Sequence, residues 1–148
     1  MHDYLINNGL PALFLLSFLA STLLPLGSEW LLVVLIIHGH SVESAVAVAT
    51  LGNYLGACTT YLIGRGGAQY LITKLLRISG KDMARAHILY EKYGSWSLLL
   101  SWLPIVGDPL CLLGGIFKIH FFRYSMLVFS GKLTRYIAVA FFTSMNMH

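Results

Sequence analysis

The sequence predicts an all-α integral membrane protein, with two re-entrant helical hairpins and two transmembrane helices forming an inverted repeat joined by amphipathic surface helices. Of its 148 residues 57% are hydrophobic and 11% charged, against about 45–50% and 25% in soluble domains. Two apolar runs are long enough to cross a bilayer, and two others are broken beside an acid. We treat residues 1–148 as a single membrane domain with repeat halves 1–65 and 94–148 and a cytoplasmic segment 66–93.

The basic residues are distributed unevenly along the chain. Residues 1–64 contain no Lys or Arg, and all ten basic residues lie between Arg65 and Arg135. Because loops rich in Lys and Arg stay on the cytoplasmic side, this distribution predicts that segment 66–93 is cytoplasmic in a multi-pass protein. Six of the bases, from Arg65 to Lys92, fall in one polar stretch between apolar runs instead of being spread along polar elements, so we expect no nucleic-acid partner.

The first predicted hairpin covers Leu10–Ile37, with its tip at Pro25–Glu29. Proline and glycine interrupt the apolar run there, and each half would reach only about 12–22 Å as a helix. A limb of that length does not cross a hydrocarbon core of about 30 Å. We therefore predict a hairpin that enters and leaves on the same side of the membrane.

The first predicted crossing is residues 44–64, which carry no charge. Its 21 positions correspond to about 31 Å of helix, enough to span the bilayer. Gly52 and Gly56 have the small-xxx-small spacing that allows two helices to approach closely. We predict that another helix packs against this face.

The cytoplasmic segment and the second half follow the same logic. Segment 66–93 alternates apolar and charged residues at helical intervals, which predicts two short amphipathic helices on the membrane surface. Residues 95–117 form a second broken run with its tip at 104–109, where two prolines make a continuous helix unfavourable. Residues 119–142 form the second crossing, although it contains Arg123, Lys132 and Arg135.

A constant offset of 79 positions superimposes the two halves without a gap. It matches three marked positions, namely Pro25 with Pro104, Glu29 with Asp108, and Gly52 with Gly131. The charge rule gives the halves opposite orientations, which predicts an inverted repeat with a site near the midplane. Under this repeat Asn53 corresponds to Lys132.

Four charged residues fall where the bilayer should exclude them: Glu29, Asp108, Lys132 and Arg135. A charge in the membrane interior costs at least about 2.5–3.5 kcal/mol, so it faces a partner or a wet cavity. One interpretation is a structural ion-pair network that holds the two halves together with dry, direct pairs. The other is a hydrated midplane cavity that accepts an anionic headgroup.

Under the cavity interpretation Lys132 and Arg135 bind phosphate, with Asn53 and Arg65 as further headgroup-binding candidates. For Arg65 the first interpretation is a topology anchor that reaches the interface, and headgroup contact is the alternative. Glu29 and Asp108 are then the proton-coupling candidates. The sequence has no paired nucleophile and base and no metal-binding motif, so we expect neither an enzyme, a cofactor nor a metal site. We expect Cys58 and Cys111 to be buried thiols.

The motifs resemble the DedA family of membrane proteins, also called the SNARE-associated or VTT domain family, and most closely its short YqaA-like branch. The similar stretches are Leu24–Glu29, Gly52-Asn53-x-x-Gly56, Tyr61–Arg65, Tyr93-Gly94, Ser101–Pro109, Gly114-Gly115 and Gly131-Lys132-x-x-Arg135-Tyr136. This resemblance implies a bacterial inner-membrane protein with two opposed re-entrant hairpins. For some relatives it implies proton-dependent recycling of undecaprenyl phosphate or movement of other phospholipids.

The sequence also departs from the family pattern. Relatives with that activity carry arginines where this chain has Ser101 and Gly107, and an additional acid where it has apolar and small residues near Leu15. Our first hypothesis is a proton-linked mover of a phosphate-bearing lipid. The alternative is a non-transporting accessory protein that organises lipids or partner proteins. In both cases membrane lipids are the expected partners, and a homo-oligomer is expected because one chain has little interior of its own.

Overall fold

The computed structural model describes residues 2–22, 28–66, 80–103 and 106–147, and every regular element within them is helical. The elements are α1 (His2–Thr22), α2 (Ser28–Ile37), α3 (Val42–Arg65), α4 (Gly80–Tyr93), a 3₁₀ helix (Gly94–Trp102), α5 (Gly107–Ile116) and α6 (Phe121–Met145). The predicted all-α class is confirmed. Pro25, Pro104 and the first predicted surface helix lie outside the described residues.

Among the described residues, two helices, α3 and α6, are long and apolar enough to cross a membrane. The 24 residues of α3 correspond to about 36 Å. Its start is capped by Ser41, whose side chain accepts a hydrogen bond from the Ser44 N–H at 3.4 Å. Both helices agree with the predicted crossings to within about three residues.

Helix α1 differs from its prediction. It begins at His2 instead of Leu10 and includes Pro11, so its 21 residues reach about 31 Å. The predicted short first limb is therefore wrong. The reason is that hydropathy marks only the apolar part of a helix, whereas backbone hydrogen bonding extends through the polar residues before it. The other hairpin limbs are short, as predicted, with ten residues each in α2 and α5 and nine in the 3₁₀ helix.

Helices α1 and α3 lie parallel and in close contact through the small residues of α3. A Cβ atom added at Gly52 would lie 2.5 Å from the Phe14 carbonyl oxygen, and one at Gly56 would lie 2.6 Å from the Phe18 carbonyl oxygen. Thr60 continues the contact by donating its hydroxyl to the Ser21 carbonyl at 3.3 Å. The predicted helix contact at the Gly52 and Gly56 face is confirmed.

Helices α3 and α6 run antiparallel, so the end of one lies near the start of the other. The Tyr124 hydroxyl donates to the Ala57 carbonyl at 2.7 Å, and the Tyr61 hydroxyl donates to the Ile119 carbonyl at 2.5 Å. α5 packs on α3 and α2 packs on α6. Each short helix therefore contacts the long helix of the other half of the chain, and α2 and α5 meet α6 near its middle.

Candidate functional site

The four charged residues singled out by the sequence form two direct ion pairs. Lys132 Nζ donates to Asp108 Oδ1 at 3.1 Å. The guanidinium of Arg135 pairs with the carboxylate of Glu29. Each acid comes from one of the short helices, and both bases come from α6. The structure therefore joins α2 and α5 to one long helix through charge.

Both bases lie on one face of α6, close to its midpoint. Lys132 and Arg135 are three residues apart, a spacing that places side chains side by side on a helix. Each acid is the second residue of its helix, Glu29 in α2 and Asp108 in α5. Unpaired N–H groups and the helix dipole at these N-termini favour negative charge. The site is thus arranged to hold two anionic groups between bases and helix ends.

The two pairs differ in how deeply their members are buried. The Lys132 side chain is 1% exposed, whereas that of its partner Asp108 is 26% exposed. The Glu29 and Arg135 side chains are 27% and 18% exposed. Lys132 is therefore more deeply buried than Asp108, whereas Glu29 and Arg135 both reach the surface. Direct pairing is the arrangement that the structural interpretation of these charges predicted.

Tyr136 makes buried hydrogen-bond contacts beside the ion pairs, a role that the sequence did not predict for it. Its hydroxyl accepts a hydrogen bond from Asn53 Nδ2 at 3.0 Å and lies 2.9 Å from Ser28 Oγ. All three side chains are buried, and they come from α6, α3 and α2. Two signals in the sequence could have identified it: Tyr136 follows Lys132 by one helical turn, and it ends the family motif that begins at Gly131.

The other headgroup-binding candidates lie at different depths. Asn53 is held by Tyr136, and its side-chain oxygen has no hydrogen-bond partner within the described part of the chain. Arg65 is exposed at the end of α3, where its Nη1 donates to the Tyr61 hydroxyl at 3.3 Å. Twelve residues of helix, about 18 Å, separate it from Asn53. The structure does not bring Arg65 to the ion pairs.

A largely apolar groove of about 420 Å³ lies between α2 and α6. On α2 it is lined by Val33 and Ile37, one and two turns after Glu29. On α6 it begins at Val139, one turn after Arg135, and continues toward the end of the helix. The spacing of four residues keeps these side chains on the same faces as the ion pair. The groove therefore continues the Glu29–Arg135 site toward the end of the molecule opposite Arg65.

No solved structure matches this chain. Residues 24–145 match the VTT domain. The chain is 39% identical over 137 residues to the inner membrane protein YqaA of Escherichia coli, covering 92% of each chain. It is 33% identical over 150 residues to a protein of Haemophilus influenzae, covering 96% of this chain and 92% of that one. It is 29% identical over 124 residues to the membrane protein YbfM of Bacillus subtilis, covering 78% and 76%. The chain therefore belongs to the VTT-domain (DedA) family and is a bacterial inner-membrane protein.

Proposed function

We propose that this protein moves a phosphate-bearing lipid, a phospholipid or a polyprenyl phosphate, across the inner membrane in a proton-coupled manner. The observation that carries the proposal is that both members of the Glu29–Arg135 pair are partly exposed and that an apolar groove between α2 and α6 continues from them. Lys132 and Arg135 bind the headgroup phosphate. While no lipid is bound, the carboxylates of Glu29 and Asp108 are paired with these bases. Uptake of a proton by a carboxylate breaks its ion pair and leaves the base free to bind phosphate.

Charge balance supports this coupling. With all four groups ionised, two acids cancel two bases and the interior carries no net charge. Protonation of one carboxylate leaves a net charge of one positive unit, which one phosphodiester monoanion neutralises. Because an uncompensated charge inside a membrane is costly, the loaded state is favoured with one proton for each phosphodiester. A partly exposed carboxylate can take up that proton without rearrangement of the buried lysine.

The groove between α2 and α6 supports a lipid as the ligand. It begins one helical turn from the Glu29–Arg135 pair and is lined mainly by apolar side chains. A lipid that places its anionic headgroup at the ion pair and its hydrocarbon chain in the groove matches both the charged and the apolar surface. A small inorganic anion would leave the apolar groove without a function.

The test is reconstitution of the full chain into liposomes that contain a headgroup-labelled phosphatidylglycerol, with and without a pH gradient. We expect lipid movement that depends on the gradient. Lys132→Ala and Arg135→Ala should slow it by about 10- to 100-fold, the effect of losing a hydrogen bond to a charged group. Glu29→Gln should remove the dependence on the gradient. Arg85→Gln, which changes an exposed base on α4, is the matched control and should retain activity. Full activity in Glu29→Gln and Lys132→Ala would refute the proposal.

The second candidate is a non-transporting protein that organises lipids or partner proteins. Direct pairing of both acids supports it, because the structural interpretation predicts paired acids and bases, whereas transport predicts a hydrated cavity that reaches them. The same liposomes discriminate the two candidates. No lipid movement under any gradient, together with loss of folded protein in Asp108→Asn, would favour the structural role.

The proposal assigns no chemical reaction to this chain, so we expect it to work without cofactor or metal. We also propose a homo-oligomer, because a chain with two candidate membrane spans has little interior of its own. Light scattering of the protein in detergent, corrected for bound detergent, tests this. A particle with the mass of one chain would contradict it.

A further inference from the structure

Three basic residues belong to the segments that meet where α3 ends and α6 begins. Arg65, Lys118 and Arg123 are all exposed there, and we refer to them as the interfacial basic cluster. Tyr61 connects two of the segments, because its hydroxyl donates to the Ile119 carbonyl at 2.5 Å and accepts from Arg65 Nη1 at 3.3 Å. The cluster therefore combines the end of α3 with the turn before α6.

Within the described residues, no ion pair joins Arg65, Lys118 or Arg123 to a carboxylate. Four of the six acidic residues are in contact with other residues: Glu29 with Arg135, Asp108 with Lys132, Asp82 with Arg85 at 3.9 Å and Glu91 with His87 at 3.4 Å. The remaining two, Asp3 and Glu43, belong to the first turns of α1 and α3. These parallel helices begin at the opposite end of the molecule. The cluster thus carries three positive charges that have no ion-pair partner in the part of the chain that the structure describes.

Aromatic rings flank the cluster on the surface. The guanidinium of Arg123 lies 5.5 Å from the centre of the Trp96 ring, within the range of a cation–π contact. Trp96 is 61% exposed and Phe121 is 43% exposed. Such rings are typical of the headgroup level of a membrane, where one side is apolar and the other wet. The contact holds the arginine at that level.

Lys118 occupies a position that favours glycine. Its φ is 51°, in the left-handed region. The Lys118 N–H bonds to the Gly115 carbonyl at 3.0 Å, and the Ile119 N–H bonds to the Gly114 carbonyl at 3.1 Å, which is the Schellman motif that glycine usually completes. A lysine there is held in an unfavourable conformation, with its ammonium group at the exposed turn. This strain points to a use for the charge.

We propose that the interfacial basic cluster is a binding site for the headgroup of an anionic phospholipid, separate from the ion pairs of α6. The positive charge of the cluster complements a phosphate, and the exposed rings complement the acyl boundary beneath it. The positive-inside rule assigns this end to the cytoplasmic leaflet. The site does not depend on lipid movement by the ion pairs, whose bases lie near the middle of α6.

The experiment counts lipids bound to the full chain in detergent by native mass spectrometry. The probes are phosphatidylglycerol and phosphatidylcholine, which differ in headgroup charge. We expect preferential retention of phosphatidylglycerol. Arg65→Gln, Lys118→Gln and Arg123→Gln should each weaken it by about fivefold, the factor equivalent to the ~1 kcal/mol contributed by a basic residue beside an anionic surface. Arg85→Gln is the matched control, because its base has Asp82 as a partner.

A further variant separates lipid binding from folding. Lys118→Gly relieves the left-handed conformation and should raise the Tm while it weakens phosphatidylglycerol binding about as much as Lys118→Gln. Loss of binding in a more stable protein cannot result from unfolding. Equal retention of the two lipids, or Arg123→Gln behaving like Arg85→Gln, would overturn the proposal. Unchanged binding in Lys118→Gly would exclude Lys118 from the site. Lys118 would then be only a topology anchor.

Discussion

Asn53 and Tyr136 lie near the middle of two antiparallel helices and share a buried hydrogen bond, donated by Asn53 Nδ2 to the Tyr136 hydroxyl at 3.0 Å. The same hydroxyl lies 2.9 Å from Ser28 Oγ, immediately before Glu29. One phenolic group therefore holds α3, α6 and the start of α2 together. The position of the Glu29 carboxylate beside Arg135 depends on this contact as well as on the ion pair itself.

Tyr136→Phe should destabilise the protein without creating a cavity. The substitution removes only the hydroxyl, which leaves the Asn53 amide and the Ser28 hydroxyl buried without this partner. An unsatisfied buried polar group costs about 1–3 kcal/mol, and we expect a loss of that size in the free energy of unfolding in detergent. Tyr54→Phe is the matched control, because that hydroxyl contacts Ser125 at 2.6 Å in a partly buried position. Equal losses in both variants would contradict the special role of Tyr136.

The Asp108–Lys132 pair should respond asymmetrically to substitution. Asp108→Asn leaves a lysine that is 1% exposed without a counter-charge, and removal of one partner from a buried pair typically costs about 3–5 kcal/mol. Lys132→Met leaves a carboxylate that is 26% exposed at the N-terminus of α5, so the loss should be smaller. Unfolding midpoints in a denaturing detergent measure both effects.

The double variant provides the control for this pair. Asp108→Asn combined with Lys132→Met removes both charges together, so its stability should return toward that of the unmodified protein. Strictly additive losses would show that the two residues act independently, in conflict with their 3.1 Å contact. If the double variant is stable but moves no lipid, the transport proposal is favoured over the purely structural one.

The positions of the crossings were predictable because length and hydropathy constrain them strongly. A run without charge from 44 to 64 has few alternatives to a membrane helix, and α3 covers Val42–Arg65. The polar start of α1 was not predictable from hydropathy. The polar residues before Leu10 end the apolar run, but the helix continues through them to His2. The two candidate spans are confirmed, and the re-entrant course of the hairpins stays a prediction.

The site was predictable in its members but not in its pairing. Charged residues are rare within apolar runs because each is costly to bury. That rarity made it possible to identify Glu29, Asp108, Lys132 and Arg135. Which acid meets which base depends on how α2 and α5 pack against α6, and no local pattern encodes that packing. Tyr136 stands in the family motif that begins at Gly131 but was given no role, since burial of a tyrosine in a membrane helix carries no comparable cost.

Gly115→Ala should destabilise the contact between α5 and α3. A Cβ at Gly115 would overlap the backbone of Tyr61, and backbone atoms cannot move aside as a side chain can. Overpacking of this kind costs about 1–3 kcal/mol, which should appear as a lower Tm in a fluorescence-detected thermal shift. Gly80→Ala is the control, because nothing lies within 4 Å of its Cβ position. A Tm in Gly115→Ala as high as in the control would contradict the close approach of the two helices.

Val139→Trp should slow lipid movement while leaving the ion pairs intact. Val139 lines the groove one turn after Arg135, so an indole there would fill space that the proposed lipid chain requires. We expect a reduction of about tenfold or more, comparable to a lost hydrophobic contact of ~1.5 kcal/mol or greater. Ile137→Trp is the matched control, because Ile137 is 51% exposed and is not among the groove residues. Equal rates for both variants in the liposome assay would exclude the groove as the path of the lipid chain.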